Sequence, residues 1–353
     1  MRIKKEVRKI VASVLAFLMV VSLIPVNSLM TKANAASKTT FEGGKTVEDG
    51  TWKGWTYSAF GNSAKGSASD TGKGGISIEA TGGKINNDAK NQGLNTFMYK
   101  LDSSIDFTIT TQATLNSIEA NEQAAFGLMV RDEIGEHGSG DLDTTKNNFA
   151  FVGGYGKNKA EGYAGYKTTK NKHKRVGTSP EVGGTYDLAI QKVGDSVKLY
   201  FNGEVAAECS ADDLITDNTM YVGLFAARNA KVTFNNVKLA YTQDSSSVKV
   251  TNNVTAPKKT TYCAGNTYED VDLTGFKATV SVDGKEREIT AADCVVDMSK
   301  KPFSEVTEAG KLTLLYLGQT IEVPVTVIKE VVSDMYIEYM PVKTDYMVTD
   351  TAL

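Results

Sequence analysis

Residues 186–209 read YDLAIQKVGDSVKLYFNGEVAAEC, and this stretch predicts three antiparallel strands joined by two tight turns. The pairs Gly194-Asp195 and Asn202-Gly203 separate runs in which apolar and polar residues alternate. Asn-Gly favours a two-residue hairpin turn because both central residues must take positive φ. The alternation places one face of this meander on a core. That face carries Leu188, Ile190, Val197, Leu199 and Phe201.

The same sequence pattern continues over residues 40–242, where short apolar or alternating runs are separated by clusters of Gly, Asn, Asp and Ser. Helical periodicity is nearly absent, so strands are expected throughout. The predicted strands are 75–80, 96–101, 107–115, 124–131, 149–154, 162–168, 186–192, 197–201, 204–209, 220–226 and 231–241. So many short strands in one region are typical of a two-sheet jelly-roll β-sandwich, and the chain is predicted to be all-β.

A second, smaller β unit is predicted at residues 257–329. Residues 243–256 are polar and indicate a linker that ends as an edge strand. Beyond them, Asp283-Gly284 and Gly318-Gln319 fit tight hairpins. The predicted strands of this unit are 276–282, 286–290, 294–298, 311–317 and 320–327.

Three segments of this second unit carry a family resemblance. They are YEDVDLTG at 268–275, ATVSVDG at 278–284 and LTLLYLGQTIEVPVTV at 312–327. In this order they resemble the bacterial Ig-like domains that occur as tandem spacers in secreted and cell-surface proteins. Pro324 agrees, since proline is tolerated on a terminal or edge strand. The resemblance implies an Ig-like β-sandwich that spaces and displays its neighbours and has no catalytic residues.

The first unit has a resemblance of its own, on AFGLMVRD at 125–132, on 186–206 and on YVGLFAARNAKVTFNNVKL at 221–239. These segments resemble the concanavalin-like jelly-roll modules that accompany secreted polysaccharide lyases and other glycan-degrading enzymes. The resemblance implies a carbohydrate-binding domain whose catalytic partner, when present, is a separate module.

A repeat suggests how the chain is organised beyond this point. PKKTTY at 257–262 returns as PVKTDY at 341–346, a period of 84 residues that suits one small β-sandwich module. Residues 330–353 are therefore expected to be the first strand of a truncated second Ig-like domain. The chain is expected to be the front end of a longer modular protein.

The first 35 residues have the form of a secretory signal peptide. A basic start precedes the apolar stretch 11–26, and Ala33-Asn34-Ala35 forms a cleavage site. The alternative is a membrane anchor, but the run contains Ser13, Ser22 and Pro25 and is short for a span. We therefore expect a secreted or cell-surface protein with no membrane span in the mature chain.

The mature chain is predicted to be acidic. Residues 1–35 hold six of the 39 basic and one of the 42 acidic side chains, so 33 basic and 41 acidic side chains remain, a net charge of −8. This balance argues against nucleic acid as a partner, because such binding depends on many Lys and Arg contacts to phosphates. The expected partner is a polysaccharide, an acidic one included, and the expected assembly is a monomer.

Three cysteines are too few for a disulfide scaffold. A Cys263–Cys294 bridge is one alternative outside the cell. The repeat favours a buried thiol instead, since Met347 takes the position that corresponds to Cys263 and free Cys often acts as a small core hydrophobe.

Polar pairs end two strongly apolar strands and are the first candidates for a binding site. Arg131-Asp132 and Arg228-Asn229 lie where strand ends converge on a sandwich rim, and a guanidinium can bind sugar hydroxyls or a carboxylate in bidentate geometry. The alternative is an Arg–Asp ion pair that closes the edge of the sandwich. From this set Arg131, Asp132 and Arg228 are predicted to bind carbohydrate.

Aromatic residues form the second candidate set, because sugar rings present flat C–H faces that pack on aromatic rings. Tyr155 and Tyr163 flank a loop, where exposure is more plausible, and Tyr166 follows on the same strand. These three tyrosines are predicted to bind carbohydrate. Core packing is the alternative, above all for Trp52 and Trp55.

Two charged segments are candidates for binding charged ligands, one an anionic polysaccharide and the other Ca²⁺. A basic run in this acidic chain could meet an anionic polysaccharide such as a polyuronate, or it is a solvated hairpin tip. The run comprises Lys167, Lys170, Lys172, His173, Lys174 and Arg175. The acidic, Gly-rich segment 132–143 offers Asp132, Glu133, Asp141 and Asp143 as oxygen ligands for Ca²⁺. It lacks the fixed alternation of ligands that an EF-hand loop has. The alternative is a flexible acidic loop that binds no ion.

Sequence signatures of enzymes are mostly missing. There is no metal-binding HExxH helix, GxSxG elbow, phosphate loop or dinucleotide fingerprint, and only His137 and His173 are available as histidine bases. A pair of carboxylates that meet in space needs no motif, so a glycosidase remains open. The sequence predicts a non-catalytic carbohydrate-binding module with an Ig-like spacer. The alternatives are a jelly roll that is itself a lyase or hydrolase, and a structural or adhesive stalk.

Overall fold

The computed structural model describes residues 39–63, 65–86, 91–138, 147–156, 163–171, 174–177 and 180–330. The predicted signal peptide and the second copy of the repeat lie outside these residues. Within the described part of the chain, no helix has the length and apolarity that crossing a bilayer requires.

In its described residues the first β-sandwich contains fourteen strands. In chain order they are β1 (Trp55–Gly61), β2 (Lys65–Gly72), β3 (Gly75–Thr81), β4 (Gly93–Asp102), β5 (Asp106–Ser117), β6 (Ala125–Arg131), β7 (Phe149–Tyr155), β8 (Tyr163–Lys167), β9 (Lys174–Gly177), β10 (Thr185–Val193), β11 (Ser196–Phe201), β12 (Glu204–Ser210), β13 (Thr219–Ala227) and β14 (Lys231–Thr242). One helical turn, α1 (Ala211–Leu214), follows β12, and the side chain of Ser210 caps it by accepting from the Asp213 N–H.

These strands form two seven-stranded antiparallel sheets. Sheet A has the order β12-β11-β10-β5-β14-β3-β2, and sheet B has the order β1-β4-β13-β6-β7-β8-β9. The core lies between them and is closed at one end by Trp52 and Trp55, which pack on Phe97 with ring centroids 5.5 and 5.3 Å away. The predicted all-β jelly roll is confirmed.

The meander predicted from residues 186–209 is confirmed in detail. β10 pairs with β11 from Leu188 opposite Phe201 to Val193 opposite Ser196, and β11 pairs with β12. Asn202 and Gly203 have φ of 44° and 76°, the pair of positive values that a two-residue Asn-Gly turn requires. The five apolar side chains predicted for the core all lie in it.

Three described strands of the first sandwich were not predicted, namely β1, β2 and β9, and each is the edge strand of a sheet. Edge strands are more polar and shorter because they protect unpaired backbone groups from other chains. The sequence of β2, KGSASDTG, has almost no apolar alternation, and β9 has only four residues. The fourth edge strand, β12, was predicted because the Asn-Gly turn precedes it.

The second sandwich begins within the segment predicted as a linker. Its strands are β15 (Lys249–Thr255), β16 (Thr261–Cys263), β17 (Lys277–Val282), β18 (Lys285–Thr290), β19 (Val295–Asp297), β20 (Thr307–Tyr316) and β21 (Gln319–Ile328). They form a three-stranded sheet, β15-β17-β18, and a four-stranded sheet, β16-β21-β20-β19, around an apolar core. This unit is the smaller β-sandwich, and its assignment to the bacterial Ig-like domains stays a prediction.

Pro324 lies on β21, which has neighbours on both sides, yet its position explains why proline is tolerated. β16 pairs with β21 only from Thr326 to Ile328, so at Pro324 the strand has β20 alone as a partner. The missing N–H therefore costs no ladder hydrogen bond on the open side.

All three thiols are free. Cys294 is buried in the core of the second sandwich, and burial raises the pKa of its thiol above the usual range. Burial likewise raises the pKa of Cys209 to about 12. Both side chains behave as small hydrophobes, since a thiol with a raised pKa has little reactive thiolate.

The two sandwiches contact each other directly through the outer face of sheet A. The Thr110 hydroxyl donates to the Ala292 carbonyl at 2.6 Å, and the Met298 N–H donates to the Gly203 carbonyl at 3.0 Å. Ala189 and Tyr200 of sheet A pack against Val295 of β19. The relative position of the units is therefore held by both hydrogen bonds and apolar contact.

Asp187 lies at this interface, and its titration gives a testable prediction. Burial raises the pKa of the Asp187 carboxyl, while hydrogen bonding to Tyr268 and Gln112 acts in the opposite direction. The folded state thus binds more protons than the unfolded state above the ordinary Asp pKa of about 3.9, and the free energy of unfolding falls as pH rises through the raised pKa. Asp187→Asn is expected to increase the melting temperature at neutral pH by a few degrees and to flatten its pH dependence.

Thermal melts between mildly acidic and neutral pH measure this effect. Asp102→Asn is a control of opposite sign, because hydrogen bonds from Ser104 lower the pKa of the exposed Asp102 carboxyl. A lower melting temperature for Asp187→Asn at neutral pH would show that the charged carboxylate stabilises the interface.

Candidate functional site

The central strands of sheet B are buried on both faces. Alternation along β6 puts Phe126, Leu128 and Val130 in the sandwich core and turns Met129 to the opposite side. Every residue of β6 and of β7 is buried. We call this opposite side the second face of sheet B. It is lined by Phe60, Leu94, Met98, Met129, Phe149, Phe151, Tyr155, Tyr163 and Phe225.

Arg131 lies on the second face, at the end of β6, and is fully buried. Its Nη2 donates to Gln92 Oε1 at 2.8 Å and to Asn147 Oδ1 at 3.2 Å. The guanidinium carbon lies 5.5 Å from the centroid of the Phe60 ring, a cation–π distance. Arg131 Nε has no hydrogen-bond partner among the residues that the structure describes. The side chain is thus anchored by two amide oxygens and one aromatic ring rather than by a carboxylate.

Desolvation lowers the pKa of Arg131 to about 10, and the nearby carboxylates of Glu133 and Asp132 partly offset this. The guanidinium therefore stays charged at neutral pH. A buried cation without an ion pair is costly, and it raises the potential at the second face. Such a site favours an anion if one reaches it.

Tyr155 and Tyr163 meet across the ends of β7 and β8, as their position on either side of a loop predicted. Their rings stack with centroids 5.0 Å apart and planes at 17°, and Phe151 stacks on Tyr163 at 5.8 Å. Each tyrosine is only 4% exposed. In this arrangement the two rings pack on each other and are covered by the protein, as the alternative of core packing predicted, and no ligand contact tests their binding of carbohydrate.

The other predicted binding residues lie elsewhere. Asp132 turns away from Arg131 and accepts from the N–H and hydroxyl of Thr216 at 2.8 and 2.9 Å, and from Asn148 Nδ2 at 2.6 Å. Tyr166 packs against the sandwich core, on the side of the sheet opposite to Tyr163. Neither residue shares a surface with the second face.

Arg228 lies in a turn with a left-handed backbone, φ 58°. It pairs with Glu119 at 3.8 Å and donates to Gln123 at 3.4 Å. Its contacts are therefore with acidic and amide side chains of the loop before β6.

The six predicted residues do not form one cluster. Arg131, Tyr155 and Tyr163 share the second face, but Tyr155 pairs with Ala125 at the start of β6 while Arg131 ends that strand. Arg131 donates its hydrogen bonds to Gln92 and Asn147, which sequence reasoning did not identify. The binding of carbohydrate by the six predicted residues stays a prediction.

The basic run lies at the β8–β9 hairpin. Lys167 Nζ donates to the Asn147 carbonyl at 2.8 Å, so it links the hairpin to the loop beside Arg131. Lys170 is 73% exposed and pairs with Asp213, while Lys174 is exposed. Lys172 and His173 and the side chain of Arg175 lie outside the described part. The hairpin therefore presents at least two solvent-accessible amino groups.

The calcium hypothesis concerns a segment that is described only in part. Asp132 already accepts three hydrogen bonds, and Asp141 and Asp143 lie outside the described residues. Among described residues no group of three or more His, Cys, Asp or Glu side chains is placed to hold a metal. His137 accepts from the Ala59 N–H through Nδ1 at 3.0 Å and lies beside the Tyr57 ring, so this histidine fixes the segment after β6 against β1.

Solved structures similar to this chain include a carbohydrate-binding module and an alginate lyase. Carbohydrate-binding module CBM66 from Bacillus subtilis has a TM-score of 0.33 and 17% identity, covering 56% of this chain and 98% of its own. Alginate lyase AlgAT5 from polysaccharide lyase family 7 has a TM-score of 0.36 and 11% identity, covering 54% and 94%. At such TM-scores the jelly-roll assignment depends on the strand order given above.

Sequence comparison gives a more specific similarity. Residues 53–151, which include β1 to β6, match the sequence profile of the pectate disaccharide-lyase N-terminal domain. Pectate lyase L from Thermoclostridium stercorarium is 28% identical over 304 residues, which is 84% of this chain and 23% of that protein. The chain is thus similar along most of its length to a segment that makes up about a quarter of a pectate lyase.

Proposed function

We propose that this chain is the polysaccharide-binding part of a secreted, pectate-degrading protein, and that its jelly roll binds polygalacturonate without cleaving it. The observation that supports this most strongly is the match of residues 53–151 to the pectate disaccharide-lyase N-terminal domain. The second sandwich acts as a bacterial Ig-like spacer in this proposal. Cleavage is assigned to a part of the protein outside this chain.

The β8–β9 hairpin is the proposed contact surface. Polygalacturonate carries a carboxylate on each sugar, and the exposed ammonium groups of Lys170 and Lys174 can pair with them. Lys170 is the solvent-exposed member of its pair with Asp213, so water and salt screen its charge and a ligand carboxylate can compete with Asp213 for it. Buried Arg131 adds positive potential behind the hairpin, since Lys167 and Arg131 both contact Asn147.

The double variant Lys170→Ala/Lys174→Ala tests this surface. Its dissociation constant for polygalacturonate is expected to rise roughly three- to tenfold, because both charges are solvent-accessible and contribute without a fixed geometry. Affinity electrophoresis in gels containing polygalacturonate measures the change. The melting temperature should stay unchanged, since neither side chain is part of a core.

Lys277→Ala/Lys311→Ala is the matched control. It removes two exposed amino groups from the second sandwich, each paired with a glutamate as Lys170 is paired with an aspartate. Equal losses in the two double variants would mean that net charge alone explains retention. An unchanged dissociation constant in the hairpin variant would exclude the hairpin as the contact surface.

A further inference from the structure

A cleft lies between the two sandwiches and encloses about 610 Å³. One side is the outer face of sheet A, where Thr110 and Gln112 of β5 and Asp187 of β10 point outward. The other side is the segment from Tyr268 to Thr274 together with Ala291 and Ala292. Small-molecule sites commonly have about 300–1,000 Å³ and often lie at domain interfaces.

The contacts beside the cleft fix its shape. Thr110 donates to Ala292 at its base, and Gly203 accepts from Met298 at its edge. The Leu317 N–H donates to Thr108 Oγ1 at 3.1 Å further along the same interface. Because both walls are tied together in this way, the cleft is a formed space rather than a transient gap between units.

The chemistry of the lining is polar and without positive charge. Hydroxyl and amide groups come from Thr110, Gln112, Thr185, Asn202, Asn236 and Tyr268. They alternate with small apolar patches, of which Ala189 and Val295 are examples. Among the described residues that line the cleft, none is Lys, Arg or His.

Three carboxylates also line the cleft, those of Asp187, Glu269 and Asp272. They repel an anion such as a uronate, so the cleft is unsuited to the ligand proposed for the hairpin. Neutral hydroxyl groups, by contrast, can donate to carboxylates and accept from amides such as Gln112. The ring of Tyr268 and the apolar patches suit the C–H faces of a sugar.

We propose that this cleft is a second carbohydrate site, which binds an uncharged saccharide. Gln112 lines the cleft beside Asn236 and Asp187: its Oε1 accepts from Asn236 Nδ2 at 3.0 Å, and its side chain also hydrogen-bonds to Asp187. Asn236 is exposed and has φ 52°. These two amides offer the donor and acceptor pair that recognises neighbouring sugar hydroxyls. The proposal does not depend on polygalacturonate binding at the hairpin.

Calorimetric titration of the chain with a galacto-oligosaccharide and with an oligogalacturonide of equal length tests the cleft. The two probes present a neutral and a charged group at C6. Gln112→Ala and Asn236→Gly are each expected to raise the dissociation constant of the galacto-oligosaccharide about tenfold or more. Glycine is chosen at position 236 because it keeps the left-handed backbone there. Lys170→Ala/Lys174→Ala should leave the neutral probe unaffected, so failure here and failure at the hairpin are distinguishable.

Thr233→Ala is the control, since Thr233 lies on the same sheet and bonds to Asn116 away from the cleft. The proposal is overturned if the galacto-oligosaccharide does not bind, or if both cleft variants bind it like the Thr233→Ala protein. Melting curves confirm that each variant is folded, and the two cleft variants affect different strands.

Discussion

Replacement of Arg131 with alanine is expected to lower the free energy of unfolding by about 3–5 kcal/mol. The side chain is fully buried, and its loss removes a hydrogen bond from the Gln92 amide oxygen, together with packing on Phe60 and Met129. The truncation also leaves a cavity on the second face of sheet B, where surrounding aromatic rings cannot fully collapse. Urea unfolding followed by tryptophan fluorescence measures the change, because Trp52 and Trp55 are buried in the same sandwich.

Arg131→Met separates the charge of this residue from its volume. Methionine fills much of the space and removes a buried cation that has no ion pair within the described part of the chain, so the stability of the variant is expected to lie within about 1 kcal/mol of the unchanged chain. Equal destabilisation by Ala and Met would contradict the volume argument. Loss of polygalacturonate binding in a stable Met variant would show that the charge also serves recognition, as predicted from the sequence.

Alanine at Gly127 is expected to destabilise the first sandwich by more than about 3 kcal/mol. Gly127 has φ +145°, and a Cβ there would lie 1.9 Å from the carbonyl oxygen of Val152. It pairs with Gly153, which has φ +150° and the same close approach to the carbonyl of Phe126. Two opposed glycines thus let β6 and β7 approach at the centre of sheet B, and a methyl group would force them apart.

Gly194→Ala is the matched control for Gly127→Ala. Gly194 also has positive φ, +54°, but nothing lies within 4 Å of an added Cβ. Gly194→Ala is therefore expected to lower the free energy of unfolding by only about 1–3 kcal/mol, the effect of a strained backbone. Denaturant unfolding of both variants measures the difference. Similar losses would mean that backbone conformation, not the clash with Val152, explains the requirement for glycine.

The sequence was most informative where turn chemistry and alternation agreed. The β10–β12 meander follows from Asn202-Gly203 and from alternation over one buried face, and both are local. The edge strands β2 and β9 were missed because one is polar and the other has only four residues, whereas β1, WTYSAFG, is mostly buried and was missed although it is neither polar nor short. Turn and alternation patterns thus predict strands that are joined by a hairpin, whereas an edge strand forms by pairing with a strand distant in sequence and leaves a weaker local pattern.

The candidate site was harder to predict because its partners are distant in sequence. Arg131 was interpreted as a rim residue since it ends an apolar strand, but it continues the set of β6 side chains that faces the second buried side of sheet B. Its partners Gln92 and Asn147 are 39 and 16 positions away, in polar segments without any motif. One signal was available: β6 and β7, AFGLMVR and FAFVGGY, are apolar at both alternating sets, which is typical of strands buried on two faces.

Binding of polygalacturonate and of its fully methyl-esterified form, measured on the same protein sample, tests the central claim most directly. Esterification removes the carboxylate charges and leaves the sugar chain intact. The account predicts retention by polygalacturonate that weakens with added salt, much weaker retention by the ester, and no release of unsaturated product from either. Equal binding of both polymers, or steady formation of unsaturated product, would contradict the proposal of a non-catalytic module that recognises charge.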